Sequence, residues 1–386
     1  MPKKQKQFDP VNTSPLTQKL ADRIQKHGPI SVADYMAMAL GDPEHGYYAA
    51  QESIGVEGDF ITAPEVSQMF GEMIGAWLTD IWLQMGKPDS VKLVELGPGR
   101  GTLMADVLRT ISTWPEFKAA VTVHLVETSP KLRQMQFDAL KAWRPTWYDR
   151  FAEVPVGVSF ILANEFFDAL PIHQLIKTDG QWQERMIDYS PERKEFCFVA
   201  RPLEFSLSSM MPAAFMNAAE GSVFEVSPAS LGVLAQMAER ISTYTGASLI
   251  IDYGHMAPGL GDTLQAVSRH QYSNPLENPG IKDLTAHVDF ATFRQVASSD
   301  VRVHGPVTQG DFLTSLGIGH RADKLCRAAS GKQADDIRQG LKRLTAPEEM
   351  GGLFKVLGLT SKRQSLNIAG FNEAEINHET SDDTTE

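Results

Sequence analysis

Cysteine is scarce in this sequence: Cys197 and Cys326 are the only two in 386 residues. Two cannot build a disulfide framework, and their separation fits no zinc-ligand spacing, so a reducing compartment and no metal are expected. No apolar run is long enough to span a bilayer. Behind the basic start Met1-Pro2-Lys3-Lys4-Gln5-Lys6 there is neither the apolar stretch of a secretory signal nor the Arg- and Ser-rich pattern of a transit peptide. A cytoplasmic protein is the expectation. Positive charge is short as well: 36 basic residues face 48 acidic ones, a net charge of -12. That balance argues against a nonspecific grip on nucleic acid and favours a basic protein or peptide as partner.

What is present is an ordinary globular composition, 42% hydrophobic and 22% charged, with its pattern changing along the chain. Residues 1–14 are expected to be disordered, as are 361–386, where Asn372 to Glu386 is acidic with a single Ile. Helical spacing over Pro15 to Lys26, Ser31 to Leu40 and Pro64 to Met85 predicts an N-terminal helical cap over 15–88, with Ser31 capping the second helix. From Val91 onward, strands at Val91 to Leu96, Val121 to Val126, Val158 to Ala163 and Ser248 to Ile251 alternate with helices. This predicts a doubly wound parallel α/β sheet within 89–360. Residues 174–226, with the turn Asp179-Gly180, read as an antiparallel insertion. The stretch 255–345 reads as loop-rich and then helical, and Leu353 to Leu359 as a last strand.

The loop Glu95-Leu96-Gly97-Pro98-Gly99-Arg100-Gly101 leaves a buried strand and opens a helix. Glycines there let backbone approach a nucleotide-like cofactor and adopt positive φ. A dinucleotide fingerprint would put its third glycine at Thr102, so Gly101 is out of step for it, and S-adenosylmethionine is the better fit. On this reading Gly97, Gly99 and Gly101 flank the amino-acid part of the cofactor, Glu95 meets its ammonium, and Glu127, at the end of the next strand, accepts hydrogen bonds from the ribose hydroxyls.

Asn164-Glu165-Phe166-Phe167-Asp168-Ala169-Leu170-Pro171 leaves another strand at the sheet's carboxyl edge, where open α/β sheets bind their ligands. Glu165 and Asp168 could hold a guanidinium bidentately, with His173 as a candidate proton acceptor and Asn164 beside the acceptor. The plainer alternatives are that Asp168 caps a short turn and that His173 is a polar strand residue.

Several segments in order carry a family resemblance: His27-Gly28-Pro29-Ile30, Asp42-Pro43-Glu44-His45-Gly46-Tyr47-Tyr48, Gly58-Asp59-Phe60-Ile61-Thr62-Ala63-Pro64-Glu65, the glycine loop and Asn164 to Pro171. Ile251-Asp252-Tyr253-Gly254, Asp283-Leu284-Thr285-Ala286-His287-Val288-Asp289-Phe290 and Met350-Gly351-Gly352-Leu353-Phe354-Lys355 continue it. Over roughly residues 15 to 360 the chain resembles the MidA-like methyltransferases, the family of the mitochondrial complex I assembly arginine methyltransferase. The resemblance implies a class I methyltransferase fold (Rossmann-like), S-adenosylmethionine as cofactor and, for the mitochondrial members, dimethylation of an arginine in a complex I core subunit. It also draws Asp59, Thr62 and Glu65 into a candidate lid, although Thr62 and Glu65 could simply start a helix. His287 and Asp289 could join the site or cap the following helix. A small-molecule methyltransferase, or an assembly factor that only binds a partner, are the competing functions.

Overall fold

Val91–Leu96, buried along its length except at Lys92, is the strand around which one of two compact units is organised. The computed structural model describes residues 14–50, 62–268 and 271–371. Asp59 and the stretches 1–13 and 372–386 lie outside the described residues. The unit containing Val91 comprises Ser53–Leu170, Pro228–Gly259 and Ala286–Glu386; the other comprises Met1–Glu52, Pro171–Ser227 and Leu260–Thr285. Helices expected together over 15–88 therefore fall in both units.

In the first of these units the strands are β1 (Val91–Leu96), β2 (Val121–Val126), β3 (Thr146–Tyr148), β4 (Ser159–Asn164), β5 (Gly246–His255), β6 (Arg302–Thr308) and β7 (Phe354–Thr360). They lie in the order β3-β2-β1-β4-β5-β7-β6, and the short strand Val288–Asp289 pairs with the end of β5. The five strands from β3 to β5 are parallel, as the alternation predicts. β7 runs antiparallel to β5, and β6 antiparallel to β7. That pair departs from the expected all-parallel winding. The reason is that β7 is buried on both faces, and a buried apolar run looks the same in either direction.

Helices cover both faces. Leu93 and Val94, adjacent on β1, enter separate cores, one shared with Trp77, Leu103 and Phe312 and the other with Leu234, Phe290 and Leu357. Winding reverses between β1 and β4, so the crevice of this sheet opens where those two strands end. The helix expected over Pro64 to Met85 is two helices, Ala63–Val66 and Gln68–Gln84. They break at Ser67, whose backbone is extended (φ -162°, ψ 136°) and whose hydroxyl accepts from Met69 N at 3.3 Å, a cap that competes with helix continuation.

The other unit is an antiparallel sheet of His173–Thr178, Gln181–Ser190, Glu195–Pro202 and Val223–Val226, joined by Ile30–Ser31. Asp179 and Gly180 both take positive φ, which a two-residue hairpin turn requires. The Pro15–His27 and Val32–Gly41 helices belong to this unit, and Ser31 caps the second by accepting from Asp34 N at 2.9 Å. Gln265–Ser268, Gln271–Ser273 and Asp283–Thr285 add a three-stranded sheet within the stretch expected to be loop. Those strands are too short to leave a period in the sequence.

Candidate active site

Both candidate loops leave strands that flank the crevice. After β1, Gly97, Gly99 and Gly101 all take left-handed φ (61°, 52° and 84°), a conformation costly for any residue with a Cβ. A Cβ at Gly97 would lie 3.0 Å from the Phe166 ring, and one at Gly99 would project into open space. Glu95 is 2% exposed, and its Oε2 is buried without a hydrogen-bond partner among the described residues. Burial pushes its carboxyl up to about 8.

Glu127, after β2, is held from two sides. Ser129 N donates to Oε1 at 2.8 Å and Gln136 Nε2 to Oε2 at 3.2 Å. The same Gln136 Nε2 donates to the Gly99 carbonyl at 2.7 Å, and Trp147 Nε1 donates to Gln136 Oε1 at 2.8 Å. Gln136 therefore fastens the glycine turn to Glu127.

After β4, Glu165 takes a left-handed φ of 51° and its Oε1 accepts from Ala63 N at 3.2 Å and Asn164 Nδ2 at 3.0 Å. Asn164 Oδ1 is buried and has no partner among the described residues. Asp252 on β5 closes the turn. Its Oδ2 accepts from the backbone amides of Phe166, Phe167 and Asp168 at 3.2, 2.8 and 3.3 Å, and its Oδ1 accepts from Tyr253 N at 2.9 Å. Burial, and then the charge of Asp168, push Glu165 up to about 8. Asp168 and Asp252 are raised by burial in the same way, Asp252 also by its two acidic neighbours. Among the described residues, none of the three carboxyls is in an ion pair.

The remaining candidates separate. Glu65 Oε1 accepts from Thr102 Oγ1 at 3.4 Å and Oε2 lies 3.8 Å from Arg100, which ties the start of the Ala63–Val66 helix to the end of the glycine turn. Thr62 precedes that helix without a side-chain cap; its carbonyl accepts from Glu65 N and Val66 N. His173 belongs to the other unit, where its Nδ1 pairs with Glu184 Oε1 at 2.7 Å. Asp289 caps the next helix, accepting from Thr292 N at 3.0 Å, and burial lowers the pKa of His287.

Comparison with known proteins decides the family. Residues 73–307 match the model of the family described as "Putative S-adenosyl-L-methionine-dependent methyltransferase". The mitochondrial protein arginine methyltransferase NDUFAF7 of Xenopus tropicalis is 36% identical, over 96% of this chain and 92% of the relative. Its Drosophila melanogaster homolog is 38% identical, over 89% and 84%. The chain belongs to this methyltransferase family. The crystal structure of a Burkholderia thailandensis protein bound to S-adenosyl-homocysteine has the same fold, with a TM-score of 0.78 at 24% identity over 93% of this chain and 94% of that one. The architecture is that of class I methyltransferases, and the cofactor of the family is S-adenosylmethionine. No helix among the described residues is long and apolar enough to cross a membrane.

The residues present fit that cofactor. Buried Glu95 Oε2 lacks a partner among the described residues, as a site for an ammonium requires, and the space beside Gly99 is clear. Two residues that shape these turns are not marked as such in the sequence. Asp252 stands in a resemblance motif, an acid at the end of a buried strand, and that position is the available signal. Gln136 lies inside a helix, 0% exposed, with no local signal at all.

Proposed function

We propose that the methyl acceptor is an arginine of a protein substrate, and that Glu165 and Asp168 receive its guanidinium. The observation that carries this reading is the group of three carboxyls, half-buried Glu165 and buried Asp168 after β4 and buried Asp252 on β5, none in an ion pair among the described residues. A guanidinium is cationic at every working pH and presents a planar fork of donors that two carboxylates match. Its entry favours the ionised state of groups whose pKa burial and their neighbouring acids raise.

On the cofactor side we assign Glu95 to the ammonium, Gly97, Gly99 and Gly101 to close backbone approach, and Glu127 to the ribose hydroxyls. Bound S-adenosylmethionine supplies a sulfonium methyl open to attack by a nitrogen lone pair. Glu165 and Asp168 hold the guanidinium so that one nitrogen faces the crevice, and Asn164 Oδ1 offers a further acceptor. The proton released from the methylated nitrogen passes to Glu165, the carboxylate that the guanidinium's entry leaves ionised beside it. Glu65, held by Thr102 and Arg100 at the end of the glycine turn, and Thr62 before it are assigned to a lid or to the substrate. His173, in the other unit and paired with Glu184, has no part in this scheme.

The NDUFAF7 relatives, named as protein arginine methyltransferases, support an arginine acceptor, and the family resemblance makes a respiratory complex I subunit the first protein to test. Cys197 and Cys326 are both free, which fits a reducing compartment such as the bacterial cytoplasm. Mass spectrometry of arginine methylation in a deletion strain tests the reading. Loss of methylation at one or a few arginines is expected; an unchanged methylated-arginine profile overturns it.

A further inference from the structure

A cavity of about 500 Å³ in the same unit as the acidic loop has no part in the scheme above. Arg343 and the turn from Pro347 to Leu353, Gly351 excepted, line it. Strand register fixes its place. Glu165 N donates to the Ile251 carbonyl on β5 at 2.9 Å, and the next β5 residue, Asp252, is opposite Lys355 on β7. Tyr253 is opposite Phe354, and their rings lie 4.1 Å apart. Leu353, in the cavity wall, immediately precedes Phe354, so the wall begins two strands across from the Glu165 turn at the same sheet edge, roughly 10 Å away.

The helix Gly331–Thr345 closes the other side. A Cβ at Gly340 would lie 3.3 Å from Ser67 Cβ, so this helix packs closely beside the Ala63–Val66 helix whose Ala63 N donates to Glu165. Arg343 is one turn further along, and its charge acts on Glu165 to lower its pKa. Gly352 lines the cavity, and Gly351 precedes it in the same turn. A Cβ at either would meet backbone within 2.2 Å, so they serve the turn itself. Lys355 Nζ donates to the Leu353 carbonyl at 3.1 Å and fixes that turn to β7.

We infer that this cavity holds the polypeptide flanking the acceptor arginine, with Pro347, Met350 and Leu353 as its apolar wall and Glu348 facing a basic neighbour in the substrate. The cavity lies at the same sheet edge as the acceptor site, its wall is apolar where Leu353 is 47% exposed, and beside Arg343 and the Lys342–Glu349 pair its rim carries Glu348, an acid with no ion pair among the described residues. An extended chain with a positive residue beside the arginine satisfies all three features. This inference rests on the arginine reading and adds the surface that selects the protein.

Two variants that add positive charge test it, Leu353→Lys and Glu348→Lys, with radiolabelled S-adenosylmethionine and extract protein from the deletion strain as acceptor. The amount of extract giving half-maximal labelling is expected to rise tenfold or more for Leu353→Lys and about threefold for Glu348→Lys. Calorimetric binding of S-adenosylhomocysteine is expected to stay within twofold, which reports an intact fold. Half-maximal labelling within twofold of the unmodified enzyme in both variants overturns the subsite while leaving the arginine reading in place. No arginine label with the unmodified enzyme overturns the arginine reading, and the subsite with it.

Discussion

The Gly97–Gly101 turn after β1 and the Glu165–Asp168 turn after β4 leave neighbouring strands at one sheet edge, yet they are built from different materials. The first is backbone: three glycines at positive φ, tied down by Gln136. The second is charge: two carboxyls in the turn and a third, Asp252, beneath it, held by three main-chain amides instead of a cation. Glycine geometry is satisfied in the protein alone. The three acids accept hydrogen bonds but have no cation paired with them among the described residues, and desolvation raises the pKa of each. The two turns meet where Gly97 faces the Phe166 ring, so a change in either can reach the other. In the proposed scheme the methyl donor therefore enters a shape and the methyl acceptor enters a field.

Breaking the shape should have the largest effect. Gly99→Val puts a β-branched residue at φ 52° and fills the clear space beside the loop. Binding of S-adenosylhomocysteine by calorimetry is expected to weaken at least a hundredfold. Backbone strain alone, about 1–3 kcal/mol, is not the cause if Gly180→Val binds normally. Gly180 has φ 71° in a hairpin of the other unit. Full binding by the Gly99 variant would remove the loop from the cofactor site.

Breaking the field comes next. Glu165→Gln keeps the side-chain shape and removes the charge, so methyl transfer is expected to fall about a hundredfold, close to 3 kcal/mol in the transition state. Cofactor binding should hold within twofold. If transfer persists at full rate with cofactor bound, the carboxylate is not the acceptor's partner.

How far the sequence exposes these two turns follows from the same contrast. Glycines at fixed spacing after an apolar strand signal a left-handed backbone by their spacing alone, and Gly97, Gly99 and Gly101 adopt it. Four of the five parallel strands are legible too, as short apolar runs; Thr146–Tyr148, three residues long, is not. Asp252 carries no comparable signal, since its side chain binds amides 84 to 86 residues earlier in the chain, a contact only the sheet creates. The direction of β7 is hidden by its two-sided burial, and the break at Ser67 by a helical period that continues across it.

A smaller effect, graded with pH, separates the two halves again. Burial raises Glu95 to about 8 in the folded protein, whereas in the unfolded chain it titrates near ~4.3. The folded state thus holds the proton more tightly, and stability of the ligand-free protein should decline as pH rises from about 4.5 towards 8, with Glu165 contributing in the same direction. An ammonium requires the ionised form of Glu95, so affinity for S-adenosylhomocysteine is expected to rise up to about tenfold per pH unit between 6 and 8. Glu95→Gln should flatten that rise, and Glu165→Gln should leave it. A slope that survives Glu95→Gln assigns the titration to another group.

The smallest expected effect tests how the shape is held. Gln136 is fully buried, and its one amide joins three things: the Gly99 carbonyl, Glu127 and the Trp147 indole. Gln136→Ala removes those bonds and leaves the Trp147 N–H without its acceptor. A stability loss of about 1–3 kcal/mol is expected in denaturant titration. The glycines keep their conformational preference, so the turn survives but loses its fastening, and S-adenosylhomocysteine should bind about five- to tenfold more weakly, near 1 kcal/mol. Methyl transfer at saturating cofactor should change less than that, because the partners of Gln136 stand at the glycine turn, the end of β2 and β3, and none at the acidic turn. If instead transfer falls with binding unchanged, the glycine turn and the acidic turn form one mechanical unit through Gly97 and Phe166, and the division between shape and field is wrong.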